Sequence, residues 1–278
     1  MAAIWYRVVE QRADWVMYVT DAGQASHFEL VFASAIAAGW TRPQTRLDHV
    51  PFGMVCGSDG KKYKTRSGET TKLVDLLDEA VDGAMKELTA RKEEQIKAAR
   101  EGGRANAANM SDEEMKNAAA VLGYGAVKYA DLKSNRISNY IFSYERMLDP
   151  RGNTAVYLLY AGARIASILR TAEQDKGVDF NALLASGVTV QLVEPAELAL
   201  GRGILRFQEV VETTLASLLP STLCDYLYEL CNLFTKFYQA CKVIGSPEMG
   251  QRCLLLLALE KVLRQGYSLV GIGYLERI

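Results

Sequence analysis

From residue 153 to residue 265 apolar residues recur at helical spacing in successive runs, 153–171, 195–217, 221–243 and 246–265. The alternating apolar and polar pattern of a half-buried strand does not persist beyond Phe142. Apolar stripes with no sheet to cover can be buried only against one another, which requires a helical bundle of roughly 150 residues. No internal repeat at a solenoid period is present. A chain of 278 residues leaves room for a second unit ahead of that bundle.

The front of the chain alternates in type. Residues 15–20 (WVMYVT) form a short, β-rich, largely apolar run suited to a buried strand of a parallel sheet. Asp21-Ala-Gly23 supplies a turn, and residues 24–38 carry apolar residues at helical spacing. Residues 49–56 (HVPFGMVC) read as a second strand, closed by Gly57-Ser-Asp-Gly60. Strand, helix and strand joined by short connections is the pattern of a doubly wound α/β sheet. Two strands alone cannot complete such a sheet, so this unit is expected to be only part of one. Residues 72–100 predict a helix that begins amphipathic and becomes polar on all faces, as in a solvent-bridging arm, and Gly102-Gly103 ends it. Ser111 followed by Glu114 is a capping box that opens a helix through residue 130.

Charge and composition limit the chemistry. The formal net charge is −1, so any phosphate or RNA site must be local. The five cysteines include no C-x-x-C pair, which points to a reducing compartment and away from a zinc site or disulfide framework. With only His27 and His49 available, a multi-histidine metal centre is excluded. The apolar run at 253–259 is too short to span a bilayer, and the first residues carry no charged-then-apolar leader. The expected location is the cytoplasm, with no membrane partner.

Against that balanced background, Lys61, Lys62, Lys64 and Arg66 crowd one loop, opened by Asp59-Gly60 and closed by Ser67-Gly68. Such a charge run is most often a solvated face. Here, however, it follows the carboxyl end of a predicted strand, where open α/β sheets bind ligands. Its glycines permit close backbone approach, and Thr65 and Ser67 place hydroxyls among the cations, a mixture suited to phosphate oxygens. The G-x-x-x-x-G-K-[ST] spacing of a Walker loop is absent.

The string HVPFGMVCGSDGKKYKTRSGETTKLVDLLDEA resembles the strand and signature loop of arginyl-tRNA synthetases, class I enzymes. In that family many members carry a K-x-x-R-S-like variant in place of the class signature K-M-S-K-S, and Lys64-Thr-Arg-Ser67 resembles it with one residue fewer between the lysine and the arginine. YVTDAGQASHF resembles the family's strand and turn carrying a glutamine that faces the amino-acid pocket, here Gln24. KYADLKSNRISNYIFSYERML and GNTAVYLLYAGARIASILR resemble the start of its helical anticodon-binding domain. The likeness spans nearly the whole chain and is weakest over residues 86–110. It implies an α/β plus all-α fold: part of a Rossmann-type class I catalytic domain over residues 1–118, then a helical-bundle anticodon-binding domain of the DALR type over 119–278.

The resemblance implies an arginine–tRNA ligase: ATP activates arginine to arginyl-adenylate, and the arginyl group is then transferred to tRNA(Arg). ATP is the expected nucleotide, with Mg2+, and no protein-held metal site is expected. Negative charge grows on the departing pyrophosphate, and positioned cations lower that barrier most in a partly dry site. Lys64, Arg66 and Ser67 are the implied catalytic set. Lys61, Lys62 and Thr65 would join them on ATP, with His49, Phe52, Gly53 and Met54 beside the adenine. Gln24 would bind the substrate arginine, with His27 next to it. Without the resemblance, Gln24 is simply a polar residue at a helix start, and each histidine is equally well a structural one.

For RNA, bulk charge argues little, since residues 119–278 hold 16 lysines and arginines against 15 acidic residues. Unpaired bases are read instead by stacking on rings or guanidinium planes and by edge hydrogen bonds. Asn135, Arg136, Asn139, Tyr140, Tyr157, Tyr160 and Arg164 offer that chemistry. Tyr157, Tyr160 and Arg164 share one helix face by spacing, although rings at such spacing are as readily core. The tyrosine and phenylalanine stripe within 221–243 reads as core. The family's usual Pro-Val-[EQ]-Arg-Met tail is only partly matched by Tyr274-Leu-Glu-Arg277-Ile278.

No H-I-G-H-type motif is present, and neither ASHFEL nor LDHVPF supplies one. The chain therefore resembles the C-terminal portion of the enzyme and is expected to be inactive alone. Its further partners would be an upstream catalytic half or other synthetases in an assembly. The alternative function is a non-catalytic RNA-binding or assembly module derived from the synthetase.

Overall fold

The computed structural model describes residues 1–57, 60–61, 72–100 and 110–278. These fall into two compact units, one holding 1–57, 60–61 and 134–142, the other 72–100, 110–133 and 143–278.

In the first unit, helix α1 (Ala2–Trp5) continues through a π-helical turn (Tyr6–Glu10) into strand β1 (Trp15–Asp21), helix α2 (Ala25–Ala37) and strand β2 (Arg46–Phe52). β1 and β2 pair in parallel from Trp15 opposite Arg46 to Asp21 opposite Phe52. Parallel pairing needs a crossover, and α2 supplies it. A small core of Ile4, Val8, Val16 and Ala35 closes one side, while Met17 and Val19 remain 49% and 62% exposed. The parallel strand–helix–strand reading is therefore realised, with an opening helix that sequence reasoning did not anticipate.

The strand expected over 49–56 is not continuous. β2 ends at Phe52, and Val55–Cys56 (β3) pairs in parallel with Tyr140–Ile141 (β4) in a separate sheet. The break has a local cause. The Gly53 amide donates to the Arg136 carbonyl at 2.8 Å, and the Met54 amide donates to Asn139 Oδ1 at 2.7 Å. Both donors are drawn toward residues 134–142 and away from β1.

The second unit is helical. α3 (Leu73–Arg100) packs along α4 (Asp112–Leu132), and the two come so close that a Cβ on Gly123 would lie 2.6 Å from the Val81 amide nitrogen. The capping box forms as expected: Ser111 Oγ accepts from the Glu114 amide, and the Glu114 carboxylate accepts from the Ser111 amide at 2.7 Å. Hydrogen bonds to the Glu114 carboxyl from the Ser111 backbone amide and side chain hold it below the ordinary carboxylate range. The boundary expected at 118/119 lies within α4. A short helix, α5 (Tyr144–Leu148), leads into α6 (Ala155–Gln174), which packs on α4, α10 and α11 and buries most of its length.

The run 195–217 divides into α8 (Pro195–Leu205) and α9 (Phe207–Ser217), after a short α7 (Phe180–Ala185). At the break the Gly203 carbonyl, which a continuous helix would offer to the Phe207 amide, accepts instead from the Arg206 amide at 3.3 Å and from the Tyr226 hydroxyl at 2.9 Å. α10 (Pro220–Ala240) and α11 (Met249–Leu269) complete the unit, with Leu227, Leu230, Phe234, Phe237, Leu256, Leu259 and Tyr267 at the centre. Among the described residues one ionic contact is buried. Glu197, only 3% exposed, accepts from Arg252 Nε at 2.7 Å and from the amides of Val193 and Glu194 at 2.9 and 3.0 Å. All five cysteines are buried and free. Among the described residues no helix is long and apolar enough to cross a membrane.

Candidate functional site

The parallel register sets the first candidate surface. Because Asp21 lies opposite Phe52, the carboxyl ends of β1 and β2 open on the same edge. The segments after each strand, 22–24 and 53–57, leave from that edge. Asp21 Oδ1 accepts from the Gly23 amide at 2.7 Å and turns the chain so that Gln24 stands exposed at the start of α2. His27 is exposed one turn on, its ring edge against Phe28 at 5.3 Å. His49 is tied down from two sides: Nε2 lies 2.9 Å from Thr20 Oγ1, and its ring stacks on Phe28 at 4.9 Å. That geometry serves the strand pairing and also fixes the ring's orientation.

Phe52 and Met54 are 44% and 46% exposed at the same edge. Both backbone polar groups of Met54 are engaged within the protein, since its carbonyl accepts from the Tyr140 amide at 3.2 Å. Beyond β3 the Gly57 amide donates to the Lys61 carbonyl at 2.8 Å and the Gly60 amide to the Gly57 carbonyl at 2.9 Å. Gly60 takes φ +72, which favours glycine in that turn. Lys61 thus leaves a tight turn at the strand's carboxyl end. Lys62, Lys64, Thr65, Arg66 and Ser67 lie outside the described residues.

Asn135, Arg136, Asn139 and Tyr140, expected among RNA-reading residues, belong to this first unit and not to the helical one. Arg136 Nη1 donates to the Pro51 carbonyl, Asn139 holds Met54, and Tyr140 pairs with Val55. Their described contacts support the strand end that carries Phe52, Gly53 and Met54.

The second candidate surface lies within the helical unit. A cleft of about 380 Å³ is bounded by α3, α4, α6, α10 and the last residues of the chain. Arg91, Lys92, Arg164, Arg170 and Arg277 line it together with the rings of Tyr160 and Tyr238. A neighbouring hollow of about 310 Å³ shares Arg91, Tyr160 and Arg164 and adds Tyr157 and Arg151. The Arg91 guanidinium lies over the Tyr160 ring at 4.2 Å, and Arg164 lies over Tyr238 at 5.4 Å. Tyr157, Tyr160 and Arg164 do share one face of α6.

The tyrosines differ in freedom. Tyr157 donates to Asn232 Oδ1 at 2.8 Å and lies 3.1 Å from Thr235 Oγ1, so its hydroxyl is fixed at the rim. Burial raises the Tyr157 and Tyr160 hydroxyls above the ordinary phenol range, with the nearby Arg91 partly offsetting this at Tyr160. Tyr238 is 46% exposed, unlike Phe234 and Phe237 beside it on α10, and departs from the core role expected of that stripe. The tail is clamped to α6 and α11: Tyr274 donates to the Gly162 carbonyl at 2.9 Å, and Arg264 covers its ring at 3.8 Å while pairing with Glu276 at 2.8 Å. Leu275 is buried, which brings Glu276, Arg277 and Ile278 to the cleft margin.

Sequence reasoning missed Arg91, Lys92, Arg170 and Tyr238 at this cleft. Arg91 and Lys92 sit where α3 turns polar on all faces, and their neighbours there are set by α4 and α6. The available signal was the persistence of Ala84 and Leu88 at helical spacing into that stretch, since both are buried.

Comparison with known proteins gives a consistent result. Residues 1–144 match the family described as tRNA synthetases class I (R), catalytic domain, and residues 158–278 match the DALR anticodon binding domain. The chloroplastic/mitochondrial arginine–tRNA ligase of Arabidopsis thaliana is 45% identical over 282 residues, covering 100% of this chain and 41% of the relative. The cytoplasmic arginine–tRNA ligase of the same plant is 44% identical, covering 98% of this chain and 44% of the relative. The crystal structure of arginyl-tRNA synthetase from Plasmodium falciparum superposes with a TM-score of 0.80 at 30% identity, over 100% of this chain and 44% of that one. The Thermus thermophilus arginyl-tRNA synthetase shares the fold, with a TM-score of 0.78 at 23% identity, over 96% of this chain and 42% of that one. The chain thus spans less than half the length of these relatives.

Proposed function

Because this chain belongs to the arginyl-tRNA synthetase family, matching its catalytic and anticodon-binding domains in order, we propose that it works as part of an arginine–tRNA ligase in the cytoplasm. The substrates are arginine, ATP and tRNA(Arg), with Mg2+ carried on the ATP phosphates. Residues 1–57 with 134–142 contribute to the catalytic site, and the helical unit from residue 143 onward, with α3 and α4 packed against it, reads the tRNA.

At the sheet edge, Gln24 hydrogen-bonds the substrate arginine, with His27 beside it. His49, Phe52, Gly53 and Met54 line the adenine side, where the side chain of Met54 is the contact. Lys61, Lys62, Lys64 and Arg66, with Thr65 and Ser67, meet the triphosphate and take up the charge that develops on pyrophosphate. The substrate carboxylate attacks the α-phosphate, so no protein nucleophile is needed. Asn135, Arg136, Asn139 and Tyr140 hold the strand end in register for this chemistry.

In the helical unit, Tyr157, Tyr160 and Arg164 read unpaired bases, joined by Arg91, Tyr238 and Arg277. The observation that carries this reading is the cleft in which the Tyr160 and Tyr238 rings alternate with Arg91, Arg164, Arg170 and Arg277. Stacking on such rings contributes about 1–3 kcal/mol per base, and guanidinium groups neutralise the adjoining phosphates. Fluorescence anisotropy with arginine-accepting tRNA against other tRNAs tests it. Preference for the arginine acceptor, reduced by Tyr160→Ala, is the expected result; equal binding of all tRNAs, unchanged by that substitution, would refute it.

A further inference from the structure

The most constrained feature of the helical cleft is the face of Tyr160 itself. Tyr160 is partly buried against the bundle core. The Arg91 guanidinium carbon lies 4.2 Å from the ring centroid. Stacked rings keep their centroids about 4.5–7 Å apart, so a base laid on that ring would claim the space the guanidinium now fills. A base held between the two groups would need roughly twice the present gap. The stacking position is therefore already taken, by a planar cation of nearly the right shape.

The backbone that carries Arg91 is anchored. Ala84 and Leu88, on the same helix within two turns, are buried in the core between α3, α4 and α6. Moving Arg91 by moving α3 would pull those side chains out of their contacts. Swinging the long side chain costs far less. Its surroundings offer somewhere to go, because Glu87 stands four positions earlier on α3, the spacing at which a carboxylate meets an arginine on a helix face. An RNA strand would add phosphates at the cleft mouth, where Arg164 and Arg277 also stand.

We infer that Arg91 is a built-in placeholder on the stacking face of Tyr160, and that an unpaired RNA base enters by exchanging with its guanidinium, which then turns to a phosphate of the same strand. The inference rests on the reading of this cleft as an RNA site and adds a separate step to it. Arg91 covers the ring and keeps it from other apolar contacts when RNA is absent. It then serves as a phosphate partner once displaced. Arg91 is a positioning residue in this scheme, and Tyr160 is the group that touches the base.

Stopped-flow fluorescence with the full 278-residue chain tests the exchange. The probe is an anticodon stem-loop RNA carrying 2-aminopurine at an unpaired loop position, whose emission falls on stacking. The wild-type chain is expected to show a concentration-dependent encounter followed by quenching in a slower, concentration-independent phase as Arg91 leaves. In Arg91→Ala the quench should follow the encounter in one concentration-dependent phase. Its dependence of log affinity on log salt should be shallower by about 0.7, the loss of one phosphate contact to single-stranded RNA. Arg91→Lys keeps a cation but stacks less well, so it should accelerate the slow phase by about fivefold with the wild-type salt slope.

The outcomes separate the two ideas. If the wild-type quench survives Tyr160→Ala, the base does not stack on Tyr160, and the cleft reading and this inference fall together. If the quench requires Tyr160 but Arg91→Ala leaves the slow phase and salt slope unchanged, the cleft reading stands and the placeholder is overturned. Circular dichroism melting of both Arg91 variants should match the wild type, since the side chain lies at the cleft margin.

Discussion

Gly53→Ala isolates the contact that ends β2 and starts β3. A Cβ at this position would lie 2.5 Å from the Ser138 carbonyl oxygen, 2.6 Å from its carbonyl carbon and 2.9 Å from the Ile137 oxygen. All three are backbone atoms, so no side-chain rotation can make room, and the segment 134–142 must shift. That shift strains the Gly53 amide bond to Arg136, the Asn139 bond to Met54, and the two ladder bonds from Tyr140 and Phe142. Overpacking of this kind costs about 1–3 kcal/mol. Tenfold per 1.4 kcal/mol makes that an increase of about 5–150-fold in local opening. Hydrogen exchange read by mass spectrometry or NMR would show it at the Met54, Tyr140 and Phe142 amides, while the amides of Leu227 and Leu259 in the helical unit keep wild-type rates. If the three amides exchange as in the wild type, the close approach at Gly53 does not hold the strand end, and the derivation fails.

Two further perturbations address the helical unit. Thr154, 5% exposed, caps α6 by accepting from the Tyr157 amide at 3.1 Å and donates to the Asp149 carbonyl at 2.7 Å. Thr154→Ala should cost about 1–2 kcal/mol and lower the melting temperature by about 2–8 °C, with Thr154→Ser restoring most of it; no change in calorimetry would contradict the capping role. At Glu197 burial favours the protonated acid, but hydrogen bonds from Arg252 and from the Glu194 and Val193 amides prevail, holding the carboxyl below its usual 4.5. A depressed folded-state value gives stability that is complete above the unfolded pKa and lost as pH falls through the folded one. Glu197→Gln should therefore destabilise by about 2–3 kcal/mol at neutral pH. In denaturant titrations the gap from wild type should narrow steadily once pH drops below about 4.5. A pH-independent gap would show that charge is not what matters there.

Local chemistry was readable in the chain, and distant pairing was not. Ser111 and Glu114 announce a helix start because both partners of the capping box lie within three residues. The strand–helix–strand order of 15–52 likewise follows from short-range patterns. By contrast, the division of 49–56 into two strands depends on Arg136 and Asn139, more than 80 positions away. The interruption at Arg206 similarly depends on a hydroxyl from Tyr226. The candidate site shows the same split. Gln24 and Phe52 meet at one edge because a seven-residue parallel register follows from the topology. Arg91 was hidden, since a cation in a helix polar on all faces carries no mark of the ring it will cover. Asn135 to Tyr140 sit beside helical segments in sequence, yet long-range hydrogen bonds assign them to the α/β unit.

The most direct measurement is photocross-linking. Arginine-accepting tRNA carrying 4-thiouridine in its anticodon loop would be irradiated with the 278-residue chain, and the adducts located by mass spectrometry. Adducts concentrated on the peptides holding Tyr157 to Arg164 and Tyr238, and lost in Tyr160→Ala, are the predicted result. Adducts spread over other surfaces of the helical unit, with that cleft untouched, would contradict the account.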